Sequence, residues 1–410
     1  MAEALTTRVS RRHRTLCLPI SEECYRQIID HPQEFRRMLD ECYQRMPELF
    51  PRDFVHGYKL KDGRVSSKQD LPIRRIVLRD STAYSIRPSF LMPYMTARTE
   101  DIEGPLFLRK FGVPYWALTH VFGRDPMSWY RLECALGRAS IVGTTVRQVE
   151  LPQHLLADEH HPTRDGQKTY IATTVAEGCC LGAEPAPTAG TDDLKAAYGV
   201  FRDEAHDVAP KYAPRTVNTD GWPWTQAAWK ALFPHVVVLL CFLHAYLKIR
   251  DRAKHLKELF AEVSRRVGEA YHAPDRRRFG QRLRRLRQWA GQHLSGIVLE
   301  KVLDLCAKRP RWSLAYRHPD GHRTSNMLDR VMRGMNRYFE DGQHLHGSHE
   351  ASRRHCRAWA LLFNFAPWCP ATTRAHNGWR SPAEDLNKHR YHESWLQNLL
   401  VSASLAGYRC

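Results

Sequence analysis

The stretch that most restricts the fold is residues 215–244, RTVNTDGWPWTQAAWKALFPHVVVLLCFLH. Val217 starts a strand-like run that stops at Asp220-Gly221, so a carboxylate stands at a strand's carboxyl end, where open α/β sheets place their chemistry. Pro223 suits the first turn of a helix, and Pro234 closes that helix. VVVLLCFL, residues 236–243, is an almost unbroken apolar run, as in a strand buried on both faces. The pattern predicts one β-α-β unit, with a helix over 223–233, a strand over 236–243 and an acid at its mouth.

Charge says what such a unit would meet. The 410 residues carry 62 Lys and Arg against 44 Asp and Glu, a formal net charge of +18. Arg predominates, and its planar guanidinium grips phosphate in a bidentate way. The balance favours a polyanionic partner, most often nucleic acid; the alternative is a generally basic protein with no such partner. The 43% apolar content is ordinary and can build a core in two or three domains. No run reaches the ~18 apolar residues of a spanning helix, and MAEALTTRVSRRHRT lacks the apolar centre of a signal peptide. Eleven cysteines without a paired CxxC framework read as reduced thiols. The expected location is cytoplasmic, nucleoid-associated in a bacterium, with no membrane contact.

Ahead of residue 150 the sequence predicts a helical lead-in starting at Ser21, then a polar turn in KLKDGRVSSKQD. A two-stranded ribbon with a cationic face follows over 71–95. Residues 113–138 divide into two helical patterns around Gly123-Arg-Asp-Pro126, the arrangement of a helix-turn-helix. Its second helix would read base edges, with Ser128, Trp129, Arg131 and Glu133 as candidate contacts; a plain helical hairpin is the alternative. From 150 onward HLLADEHH, KTYIATTVAEG and CCLGAEPA predict an antiparallel meander, with hairpin turns at Asp165-Gly166 and Glu177-Gly178. A helix starting at Thr191 then leads to the strand ending at Asp220. The order is β-β-β-α-β-α-β, with Asp158 on the first strand and Asp220 ending the fourth. Residues 245–320 read as almost wholly helical, with Arg276, Arg277 and Arg278 opening an arginine-dense stretch suited to a DNA backbone or to a solvated face. Trp289 and Trp312 suit base stacking or, more simply, a core.

That order and those acids resemble the ribonuclease-H-like core of DDE/D transposases and integrases. Cys241 and His244 resemble the C/D-x-x-H signature of Mutator-like and related bacterial insertion-sequence transposases. The resemblance implies an α/β fold whose mixed sheet is interrupted by an all-helical insertion and preceded by a small, mostly helical DNA-binding region. The implied divisions are 1–110 (helical and β-ribbon), 111–149 (helix-turn-helix), 150–244 and 321–370 (two parts of the core), 245–320 (insertion) and 371–410 (tail). It implies further that Asp158 and Asp220 lie side by side and that a third acid comes from a later helix. Thr324-Ser325-Asn326 with Asp329 resembles the T-[TS]-N-x-x-E box of this group, with Asp in place of Glu; Glu350 and Glu340 are the alternatives. Asn326 would lie beside Asp329, touching DNA or orienting the acid. Cys241 and His244 either brace the strand end or reach the acids, and His160 and His161 flank Asp158. The implied activity is Mg²⁺- or Mn²⁺-dependent DNA cleavage and strand transfer on transposon ends, by a homodimer or higher oligomer. A catalytically inactive DNA-binding regulator and a structure-specific nuclease are the competing readings.

Overall fold

Two sheets organise the chain, and one long helix is wedged between them. The computed structural model describes residues 13–66, 71–341 and 345–409. The first sheet comprises Thr15–Leu18 (β1), Tyr58–Ser66 (β2), Leu71–Leu78 (β3) and Ala83–Pro88 (β4), in the order β1-β4-β3-β2. Helices Glu22–Ile28 (α1) and Pro32–Arg45 (α2) intervene between β1 and β2. Ser21 caps α1 by accepting a hydrogen bond from Cys24 N at 3.2 Å, as its side chain suits. The expected ribbon is β3 paired with β4. The expected polar turn over 59–70 is instead largely strand β2, with residues 67–70 outside the described residues. Polar sequence is compatible with a strand at a sheet edge, where one side meets solvent, and the register shift between Lys61 and Arg64 interrupts the pairing there.

Helices Thr99–Arg109 (α3), Tyr115–Phe122 (α4), Pro126–Leu136 (α5) and Ile141–Thr145 (α6) lead to the second sheet. Its strands are His154–His160 (β5), Tyr170–Ala176 (β8), Cys179–Ala186 (β9), Thr216–Thr219 (β10) and Val237–Leu240 (β11). The short strands Thr163–Arg164 (β6) and Gln167–Lys168 (β7) form a small hairpin beside it. Helices Thr191–Val208 (α7) and Pro223–Leu232 (α8) complete the expected β-β-β-α-β-α-β order. The strand order is β11-β10-β5-β8-β9: β5, β10 and β11 run parallel, and β8 and β9 run antiparallel to their neighbours. Both expected hairpin turns form, with positive φ at Asp165 (48°) and Gly166 (81°), and at Glu177 (49°) and Gly178 (78°). Two successive left-handed residues are what a two-residue hairpin requires.

The two faces of this sheet pack against different partners. Leu155, Ala157 and Val217 join Tyr198, Phe201 and Trp229 on the α7–α8 side. Leu156, Ile171 and Val175 point the other way, onto Asn326–Asp341 (α14) and His349–Phe365 (α15). Between β11 and α14 the chain forms Phe242–Ala253 (α9), Lys257–Tyr271 (α10), Arg276–His293 (α11), Gly296–Ala307 (α12) and Arg309–Trp312 (α13). These five helices share a core of their own around Val263, Phe279, Leu283, Val302 and Trp312, so Trp312 is packing. Trp289 is half-buried beneath Arg266, 4.8 Å from its ring.

One expectation changes here. The strand expected over 236–243 ends at Leu240; Cys241 is the N-cap of α9, and His244 lies in that helix's first turn. The apolar run continues because Phe242 packs into the core of the helical block, and burial alone does not distinguish a strand from a helix start. Residues 371–409, in the expected C-terminal tail, are packed against the rest of the chain. Pro370–Ala375 (α16) and Pro382–Asn387 (α17) lead to Trp395–Ser402 (α18), whose Leu396, Leu399 and Leu400 enter the core of the first sheet. Helix α15 joins the halves: Leu361, Leu362 and Phe365 belong to that core, while Cys356, Trp359 and Ala360 pack under the second sheet. No helix among the described residues is long and apolar enough to cross a membrane.

Candidate active site

Parallel pairing of β5 with β10 sets Leu156 against Asn218. Two residues further along both strands are Asp158 and Asp220, adjacent at the carboxyl end of the sheet's centre. Beyond Asp220 the chain turns at Gly221, whose φ of +100° suits glycine. The Asp220 carboxylate accepts from Trp222 N at 2.8 Å, which anchors it at the start of α8. Asp158 Oδ1 accepts from Glu159 N at 2.9 Å. Burial first, and then the charge of Asp220, push the Asp158 carboxyl up to about 7. Two carboxylates side by side cannot both ionise freely without a compensating cation.

His244 supplies part of that compensation. Its hydrogen bond with Cys241 holds it up to about 9, and Asp158 and Asp220 favour its charged form as well. Burial opposes ionisation of the Cys241 thiol, but hydrogen bonds with His244 and Ser325 hold it below its ordinary value. Cys241 Sγ lies 3.3 Å from Ser325 Oγ, and Ser325 Oγ lies 3.5 Å from His244 Nδ1. The same hydroxyl donates to Asp329 Oδ1 and Oδ2 at 3.1 and 3.2 Å. The Cys-His pair thus lies between the strand acids, whose charges act on His244, and Ser325, which holds the helix acid. Cys241 is fully buried, which removes it from consideration as a nucleophile.

Asp329 reaches this place because the segment before α14 is tied to the sheet. Asn218 Nδ2 donates to His322 O at 2.8 Å, and Phe242 N donates to Arg323 O at 3.1 Å. Asn326 is exposed at the start of α14, one turn before Asp329. Among the described residues, no group of three His, Cys, Asp or Glu side chains is gathered as a ready metal cluster. Ser325 holds both oxygens of Asp329, while Asp158 and Asp220 are near enough for the charge of one to act on the other. Those two fit a divalent cation by themselves, since Mg²⁺ is commonly held by one or two carboxylates with waters and substrate phosphates.

Glu350, the alternative third acid, lies elsewhere. It is exposed in the first turn of α15 and pairs with Arg353 and Arg354 at 3.8 and 2.9 Å. Arg353 in turn reaches Glu184 on the edge strand β9 at 2.5 Å, three strands away from Asp220. Glu340 is exposed near the far end of α14. His160 stacks on Phe339 and His161 packs against Trp222. The residue missed in the sequence is Glu159, buried on the opposite face from Asp158. Its Oε1 accepts from Tyr198 and Thr225 at 2.8 and 2.7 Å, Oε2 is buried without a partner, and burial pushes its carboxyl up to about 7. Its place in an alternating strand marked it as core-facing, but only packing shows what surrounds it.

The two expected helices form as α4 and α5 around Gly123-Arg-Asp, an arrangement that a helix-turn-helix and a plain helical hairpin share, and the expected contact set needs correction. Trp129 is 1% exposed and donates from Nε1 to Gly123 O at 3.0 Å. Ser128 bonds Asp125, and Glu133 is buried against Arg109 at 2.7 Å. Positions 129, 132, 133 and 136 recur at helical spacing and form the packed face. Arg131, on the opposite face, is exposed. The neighbouring surface carries Trp116 (68% exposed), Val121 (67%) and Met127 (51%) beside exposed Arg124, so apolar and cationic side chains are mixed there. Trp129→Ala is expected to cost about 3–5 kcal/mol of stability, measured by chemical denaturation; a loss below about 1 kcal/mol would contradict this packing role. Arg276 and Arg277 are exposed at the start of α11, and Arg278 is exposed beside Asp275 at 3.6 Å.

The chain matches no known protein-family profile, and a comparison with curated proteins yields no match.

Proposed function

We propose that this protein is a DNA transposase of the DDE/D type, with a ribonuclease-H-like sheet interrupted by a helical insertion. The observation that carries this reading is the placement of Asp158 on β5 and of Asp220 directly after the adjacent parallel β10, with the fourth strand of the sheet set beside the first. Asp329, delivered to the same end by α14 after five inserted helices, is the third acid of the proposal. Asp158 and Asp220 would hold Mg²⁺ or Mn²⁺; when bound, such ions activate the attacking oxygen and stabilise the leaving one in displacement at phosphorus. His244 balances the strand acids, and Ser325 orients Asp329. Exposed Arg276, Arg277 and Arg278, with Arg131 and Asn326, are suited to the DNA backbone or groove. Synapsis of two element ends calls for at least two protomers.

The test is incubation of the full chain with DNA carrying the inverted repeats that flank its gene, with Mg²⁺ or Mn²⁺. Metal-dependent nicks at the repeat ends are the expected result. A second reading, an inactive end-binding regulator, is favoured by the Asp in the third position and by the lack, among the described residues, of a ready three-acid cluster. Binding to the ends without any nicking would establish it instead.

Metal binding has a further signature. Asp158 has its pKa raised in the folded chain from 3.8 to about 7. Its contribution to stability is therefore full at low pH and is lost as the pH rises from about 4 to about 7, where the folded state must ionise it. A divalent cation offsets that loss, whereas protons compete with it at low pH. Mg²⁺ or Mn²⁺ should thus raise the melting temperature more at pH 8 than at pH 5.5, and Asp158→Asn should flatten the difference. An equal shift at both pH values, or an unaltered shift in Asp158→Asn, would remove the metal from this pair.

A further inference from the structure

We infer that the trough between the first sheet and the start of α15 is a binding site for a nucleotide phosphate, separate from the carboxylate pair. Two cavities, of about 380 and 230 Å³, meet there and share Thr15, Tyr94 and Arg138 in their walls. Arg353 and Arg354 line the larger one, and Arg87 on β4 lines the smaller. The charge balance is uneven along it. Arg354 is paired with Glu350, and Arg353 with Glu184. Arg87 and Arg138, by contrast, have no carboxylate within ion-pairing distance among the described residues. Arg87 Nε is also buried without a hydrogen-bond partner, and a buried guanidinium donor left unfilled is costly.

Aromatic rings accompany these cations. The Arg138 guanidinium lies 4.3 Å from the centre of the Tyr94 ring, and Tyr94 is 49% exposed where the cavities join. Tyr94 also has φ of +67°, a conformation a bulky residue adopts at a cost. Such strain gathers at ligand clamps. Across the larger cavity Tyr408 stacks on His13 with ring centres 4.0 Å apart. Guanidiniums that take phosphate bidentately, next to flat rings that accept a base or sugar face, suit a nucleotide unit better than a simple anion. The trough adjoins β9, the sheet edge remote from Asp220, so it would hold nucleic acid away from the reacting phosphate. The choice of DNA as the source of that nucleotide rests on the transposase reading; the alternative source is a free nucleotide.

The experiment compares wild-type full-length chain with Arg138→Glu and Arg87→Gln, with exposed Arg45 on α2 as a charge-matched control, Arg45→Glu. Fluorescein-labelled single-stranded and duplex oligonucleotides are titrated across a salt series, and each variant's melting temperature verifies folding. Arg138→Glu should weaken binding by about tenfold or more and lower the salt slope by about one phosphate contact, with Arg87→Gln in the same direction. Arg45→Glu should change affinity less than about twofold. A parallel thermal-shift titration with dAMP identifies the source. If dAMP stabilises wild type but not Arg138→Glu while oligonucleotide affinities agree, the site takes free nucleotide. No effect of Arg138→Glu in either assay, or an equal loss in Arg45→Glu, overturns the site. Oligonucleotide binding by the wild-type chain without cleavage counts against the catalytic reading alone and leaves the trough in place.

Discussion

Asp158→Asn and Asp220→Asn are each expected to reduce metal-dependent nicking of repeat-end DNA by about a thousandfold or more. Electrostatic stabilisation by a metal at phosphorus supplies several kcal/mol of transition-state stabilisation, and each 1.36 kcal/mol is about tenfold in rate. Asparagine keeps the side chain's shape and the hydrogen bond that Trp222 N donates to position 220, so the loss should lie in turnover rather than in DNA affinity. Removing either charge also relieves the repulsion within the pair. In metal-free buffer at pH 8 the Asn variants should therefore melt at or above the wild-type temperature, which separates a catalytic loss from misfolding. Nicking within about tenfold of wild type in either variant would sink the assignment. Asp329→Asn is expected to lose activity as well, and Ser325→Ala should weaken it more mildly by freeing Asp329 from its hydroxyl clamp.

Breaking the Arg109–Glu133 pair should produce a large loss of stability, comparable with that of Trp129→Ala. Both side chains are essentially inaccessible, at 1% and 0% exposure, and they lie 2.7 Å apart. Arg109 packs over the rings of Tyr115 and Tyr338, 4.1 and 4.7 Å from their centres. Tyr115 OH donates to Glu133 Oε2 at 3.0 Å, and Tyr338 OH bonds Glu133 Oε1 and lies 2.5 Å from His355 Nε2. Burial pushes His355 down to about 4, which favours its neutral form. The cluster ties α3, α4 and α5 to α14 and α15, and thus the α4–α5 pair to the helix that carries Asp329. Arg109→Ala or Glu133→Ala leaves a buried charge without its partner, which costs about 3–5 kcal/mol. Chemical denaturation is the measurement; a change under about 1 kcal/mol would mean water reaches the cluster. Arg109→Met with Glu133→Leu should recover most of the loss, because an apolar pair of similar volume carries no desolvation penalty.

Much of the second sheet was legible in the chain itself. Asp165-Gly166 and Glu177-Gly178 announce hairpin turns because few other pairs take two left-handed residues in succession. Asp220-Gly221 and the Pro-bounded 223–232 helix follow from local backbone chemistry in the same way. Alternation along 154–160 separates Asp158 from Leu155 and Ala157, so the face of that acid was also readable. These features depend on residues within a few positions of one another.

What required the tertiary structure depends on residues far apart. Whether the strand in VVVLLCFL ends at Leu240 or Leu243 is decided by the helical block that buries Phe242, not by the run. Trp129 and Glu133 look like groove-reading side chains on an amphipathic helix; only the arrival of α14 and α15 some 200 positions later turns that face inward, as the Glu133–Tyr338 bond spans 205 residues. The link from His244 through Ser325 to Asp329 likewise spans 81 residues between its first two members. Local sequence sets turns, caps and the face on which a side chain stands. It leaves open which distant surface covers that face, because burial and charge pairing are properties of the assembled core.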